Sequence, residues 1–221
     1  MDNFPPFLFQ TERRLVSLTG IKAKNLKELL NALREVSGAS IFFHTHHKYL
    51  SRHFEKPVFY NDFAQWASTA LQEQQLAEVL AAINLLEFTS IRQLRMKIIN
   101  KIENHLSQDE ERLRECVPGS EFHFCKSKSF VMPTGLIARD PVEFFKLLPN
   151  VTIVSLYYHF FEARLRLGRP TNDFSLWLAD LGETELAAEI DRLDPYILTL
   201  DELKEAVIDL GRQYLRGLDG E

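Results

Sequence analysis

A chain of 221 residues, 45% hydrophobic and 26% charged, has ordinary globular composition and is long enough for one large core or two small ones. Its formal net charge of −5, with no basic run interleaved with aromatics, argues against nucleic-acid binding. Seventeen Phe against two Trp and six Tyr predict a core built on phenylalanine.

Residues 1–6 read as a proline-terminated lead. Pro5 and Pro6 precede a short apolar run and Arg13 and Arg14 follow it, an order wrong for a signal peptide. Phe7–Gln10 and Leu15–Leu18 are apolar runs separated by charge, which predicts two brief strands, and Thr19-Gly20 then suits a turn with positive φ. Asn25 with Glu28 makes a capping box for a helix whose apolar face is Leu26, Leu29, Leu30 and Leu33. The next helix, about 38–53, carries Ser40, Ile41, Phe42, Phe43 and His44. It is apolar nearly all round at its start, as a buried central helix would be. After a loop with Pro57, Asn61 caps a helix that runs to about Leu71 and carries Trp66. A short helix over about 73–86 follows. A last long helix starts at Ser90 with Gln93 and ends near Leu106. Residues 107–121 form a charged linker closing on Pro118-Gly119.

The same order then returns. Residues 7–50 align with 122–165 without a gap, and twelve of those 44 positions are identical, among them Phe7, Phe9, Thr19, Gly20, Ser40 and His44 with their partners 115 residues on. Asn61, Asp62, Phe63 and Trp66 return as Asn172, Asp173, Phe174 and Trp177. The expected fold is mainly α (α+β with short strands at the start of each unit), a duplicated helical domain with pseudo-two-fold symmetry. Its divisions are repeat unit one over 1–106, a charged linker over 107–121 and repeat unit two over 122–221. Residues 7–106 hold 13 Lys+Arg against 9 Asp+Glu, and 122–215 hold 10 against 14. The opposite signs favour docking of the units on each other, or head-to-tail self-association into a homo-oligomer. Cys116 and Cys125 have no metal or redox spacing. The longest strongly apolar stretch, 151–161, contains His159 and is too short to cross a bilayer, so no membrane partner and a cytoplasmic, reduced protein are expected.

The residues with chemical potential are the repeated polar set. Ser40 and His44, four apart, share one helical face, as do Asp62 and Trp66 on the next helix; Ser155, His159, Asp173 and Trp177 match them. These eight are the candidate ligand-binding residues. A Ser-His-Asp trio invites a triad reading, but a serine in mid-helix beside Phe42 and Phe43 lacks the exposed elbow of a nucleophile. The sequence favours a buried histidine satisfied by a carboxylate at a helix start, with the tryptophan packed across it. His44, His47 and Asp62 are the candidate metal ligands, with His46 and His53 nearby. His46 and His47 become Phe161 and Glu162 in the second copy, and no recognised metal spacing is complete. No P-loop and no Gly-x-Gly-x-x-Gly occur, and no cofactor is expected.

Thr19-Gly20 and Thr134-Gly135, His44 and His159, Asn61-Asp62-Phe63-Ala64-x-Trp66 and Asn172-Asp173-Phe174-Ser175-x-Trp177, with Leu76-Ala77 and Leu186-Ala187, resemble a prokaryotic domain family of unknown function, the one numbered fifty-seven fifty-two, in two tandem copies. The resemblance implies a prokaryotic intracellular protein and no assigned activity. The expected function is that of a binding or interaction protein, taking another protein or a small ligand near the unit–unit interface. The alternative is a metal-dependent hydrolase with its His/Asp site in unit one and a degenerate second copy.

Overall fold

A computed structural model of the chain describes residues 4–51, 58–108, 114–194 and 197–219. His53, Pro57 and the middle of the expected linker lie outside the described residues. The fold is helix-dominated α+β. Among the described residues its one sheet is a pair of strands, β1 (Phe7–Ala23) and β2 (Phe122–Ala138), each of 17 residues. This corrects the expectation of two brief strands in each half. The pairing is antiparallel: Thr134 Oγ1 donates to the Phe9 carbonyl (2.7 Å) and Thr19 Oγ1 to the Phe124 carbonyl (2.8 Å), so one register rises as the other falls. Gly20 and Gly135 do have positive φ, 81° and 84°, but they sit inside the strands rather than at a turn.

The residues fall into two compact units that are interleaved along the chain. One holds residues 14–51 and 58–129, the other 4–13 and 130–219. The division runs through both long strands, at Arg13/Arg14 and Ser129/Phe130, rather than through the linker.

In the 14–129 unit the helices are α1 (Leu26–Glu35), α2 (Gly38–Ser51), α3 (Asp62–Thr69), α4 (Gln74–Ala81) and α5 (Ile91–Ser107). The expected single helix over 73–86 is α4 followed by a separate 3₁₀ turn at Leu85–Glu87. Asn25 caps α1 by accepting from Glu28 N–H (2.9 Å), while the Glu28 carboxylate returns to Lys24 N–H. Leu26, Leu29, Leu33, Leu94, Ile98 and Ile102 fill the space between α1 and α5. The start of β2 supplies Phe122 and Phe124, whose rings meet Phe63 of α3 at 5.1 and 6.3 Å.

The 4–13/130–219 unit contains α6 (Pro141–Leu147), α7 (Ile153–Tyr157), α8 (Ala163–Leu167), α9 (Asp173–Asp180), α10 (Thr184–Asp191) and α11 (Leu200–Asp219). α7 and α8 are joined by a π-helical stretch, Tyr158–Glu162, so the counterpart of α2 is continuous but locally wider. Here the start of β1 supplies the aromatics. Phe7 meets Phe144, Phe174 and Trp177 at 5.3, 5.5 and 5.5 Å, and Phe9 stacks on Phe144 at 5.2 Å. Each unit thus builds its core by laying two strand phenylalanines across its helices, which is where much of the phenylalanine-rich composition resides.

Candidate functional site

The central helix α2 presents Ser40 and His44 on one face, one turn apart. Asn61 fixes the start of α3: its Oδ1 accepts from Ala64 N–H (2.8 Å) and its amide donates to the Leu80 carbonyl (3.1 Å). Asp62 therefore stands at the first position of α3, where its Oδ2 lies 2.9 Å from His44 Nδ1. The remaining atoms of the set all close on the strand or the residues leading into it. His44 Nε2 accepts from Cys125 N–H (2.9 Å), Ser40 Oγ donates to the carbonyl of the same residue (2.6 Å), and Trp66 Nε1 donates to the Ser120 carbonyl (2.7 Å).

These bonds determine the proton positions. A backbone amide can only donate, so Nε2 carries the lone pair and Nδ1 carries the hydrogen, which it gives to the Asp62 carboxylate. In a nucleophilic triad the serine hydroxyl would face Nε2. Here the two grip the N–H and C=O of one strand residue, and Ser40 is wholly buried. The hydroxyl donates its proton to a carbonyl and the imidazole lone pair accepts from an amide, so in this arrangement no base faces the serine oxygen.

The second set makes the same bonds in its own unit. His159 Nε2 accepts from Gln10 N–H (2.8 Å), Ser155 Oγ donates to the Gln10 carbonyl (2.5 Å), and Trp177 Nε1 donates to the Pro5 carbonyl (3.0 Å). His159 Nδ1 lies 2.7 Å from Asp173 Oδ2. The carboxylates differ. Asp62 is 33% exposed and Asp173 14%. Asp173 takes Arg166 Nη2 at 2.7 Å. Burial works to raise the Asp173 pKa, but hydrogen bonds from His159 and Arg166 outweigh it and hold the carboxyl below its ordinary value. The Arg166 guanidinium also lies over the Tyr158 ring, 4.6 Å from its centroid.

The serine, histidine and aspartate of each candidate set are thus brought together, three in each unit, and each tryptophan stands beside them on the residues leading into the strand. The tryptophans, however, do not pack across the histidines as the sequence suggested: Phe122 meets both His44 (4.7 Å) and Trp66 (5.7 Å), and Phe7 meets both His159 (4.9 Å) and Trp177 (5.5 Å). Of the other histidines, His47 stacks on Phe43 (4.9 Å) and His46 on Phe42 (4.7 Å). Burial, then the charge of Arg14, pushes the His46 pKa down to about 3, so this imidazole is neutral. Among the described residues no three His, Cys, Asp or Glu side chains converge as metal ligands would. The geometry also reveals groups the sequence did not single out. A buried pair, Glu73 Oε2 and His105 Nε2 at 3.0 Å, joins the start of α4 to α5. Glu183 and Tyr214 (2.8 Å) join α10 to α11, and burial with this bond pushes the Tyr214 hydroxyl up to about 12.

A family model described as a family of unknown function (DUF5752) matches residues 4–212. No curated protein matches the chain. Among solved structures, the structure of OrfY from Thermoproteus tenax is similar to it, at 30% identity and a TM-score of 0.79, over 94% of this chain and 94% of that one.

Proposed function

We propose, for a chain that belongs to the DUF5752 family of unknown function, that it works by binding rather than by catalysis, with its Ser-His-Asp-Trp sets acting as clasps that hold strand to helix. The observation that carries this reading is the engagement of Ser40 and His44 on the two backbone groups of Cys125. A clasp of this kind satisfies an outer strand edge with side chains, where backbone groups left bare would be costly or adhesive. We also read the chain as a tandem duplication. Twelve shared residues in 44 support that reading, as does the recurrence of the clasp on Gln10. The alternative, a metal-dependent hydrolase on His44, His47 and Asp62, would need a free lone pair on His44, and both ring nitrogens are engaged.

One set of variants tests the proposal. Ser40→Ala and His44→Ala are unfolded in urea and, beside wild type, assayed for hydrolysis of nitrophenyl esters and phosphates with and without Zn²⁺ or Mn²⁺. Leaving the Cys125 amide or carbonyl without its partner costs about 1–3 kcal/mol, so both variants lose stability to that degree, while neither they nor wild type turn over substrate. Turnover by wild type that disappears in a stably folded Ser40→Ala or His44→Ala protein sinks the binding reading.

A further inference from the structure

The 14–129 unit carries a cleft of about 580 Å³ between α4 and α5, a size typical of small-ligand sites. α5 and its C-cap turn Lys101, Asn104, His105 and Gln108 toward it, residues spaced to share one helical face, and none is apolar. The apolar stripe of α5 is a different one, with Leu94, Ile98, Ile99 and Ile102 buried in the core. The cleft is therefore not an ordinary helix seam, where apolar stripes meet.

Its charges are distributed in a particular way. His105 lines the cleft but is only 8% exposed, and its partner Glu73 is 7% exposed, with Arg114 Nε 4.0 Å from the other Glu73 oxygen. That carboxylate is committed to the fold. The charges left in the cleft are Lys101 on the α5 wall and Glu78 on the α4 wall. They are not paired with each other. Glu78 accepts from the Gln74 amide (3.2 Å), and Lys101 has no ion-pair partner among the described residues. Facing walls thus offer one anion, one cation, carboxamides for hydrogen bonds and the apolar Val79, itself 40% exposed.

We propose that this cleft binds a free α-amino acid with an apolar side chain. Its carboxylate pairs with Lys101, its ammonium pairs with Glu78, and its side chain covers Val79, while Asn104 and Gln108 supply the remaining hydrogen bonds. The assignment rests on the binding reading above and lies wholly within one unit.

Calorimetric titration of the full chain with L-leucine, N-acetyl-L-leucine and L-leucinamide tests it. Leucine binds, and capping either end weakens binding about tenfold or more, the loss of one charge-assisted pair. Lys101→Gln removes the advantage of leucine over leucinamide, and Glu78→Gln removes its advantage over N-acetyl-leucine. Absence of heat with leucine, equal binding of the capped forms, or an unchanged pattern in both variants overturns the assignment. Those results leave the clasp reading standing, just as a Ser40-dependent hydrolysis would overturn the clasp reading without bearing on the titration.

Discussion

At the scale of single residues, the two carboxylates behind the clasps are the informative contrast. Asp62 is a third exposed and Asp173 is more buried; Asp173 is shared between His159 and Arg166. A carboxyl held below its ordinary pKa in the folded state contributes stability above its unfolded pKa and loses it as pH falls toward the folded value. Asp173→Asn is therefore expected to destabilise most at neutral pH. The gap to wild type should begin to close as pH falls past about 3.9, the ordinary aspartate value, and vanish below the folded pKa. Urea midpoints of both proteins between pH 7 and about pH 2.5 check this. A gap independent of pH would mean that the side chain acts through its shape and not its charge.

At the scale of elements, helix α11 meets α6 and α7 closely enough that one position tolerates no side chain. A Cβ at Gly211 would lie 2.9 Å from Cε1 of the buried Phe145 ring and nearer still to Cγ and Cδ1. Alanine would gain about 1 kcal/mol of helix propensity, but the overlap forces Phe145 out of a packed core at a cost of about 1–3 kcal/mol or more. Gly211→Ala should lower the thermal midpoint, and the penalty should shrink in a Phe145→Leu background, which calorimetry of the double-mutant cycle measures. An equal penalty in both backgrounds would place the cost elsewhere.

Elements also show how much of the fold is legible in the sequence. The capped helix starts at Asn25, Asn61, Ser90, Asp140, Asn172 and Thr199 each carry a side-chain signal and each forms its cap. The pairing of His44 with Asp62 and of His159 with Asp173 is legible because helical spacing and a helix start define both faces. The clasp's other partners are not, because a backbone amide at Cys125 or Gln10 looks like any other in sequence. The strands are underestimated because residues 15–18 and 128–131 are exposed throughout, which erases the alternation that marks a half-buried strand. The π-helical stretch that contains His159 carries no signal in the sequence.

At the scale of the whole molecule, the interleaving of the two units sets which pieces can stand alone. Residues 14–129 contain the side chains that their own core and clasp use. Residues 130–221 lack Phe7, Phe9 and Gln10, which their core and clasp take from the other end of the chain. A 14–129 fragment is expected to unfold cooperatively. A 130–221 fragment should not, until a peptide of residues 1–13 is added in trans, as near-ultraviolet circular dichroism with urea titration would reveal. Cooperative unfolding of 130–221 by itself would show that the first strand is dispensable to those helices.

The hydrogen bond between Gln10 and His159 spans 149 positions of the chain. On a ribosome adding about 5–20 residues per second, Phe7 and Phe9 therefore emerge roughly 7 to 30 s before the histidine that will hold their strand. Throughout that interval the apolar start of the first strand has no final resting place, and before its end residues 14–129 are complete enough to collapse. Birth order and burial order are opposed in this protein. Its yield in the cell should depend on whatever shelters the first ten residues until the last helices arrive.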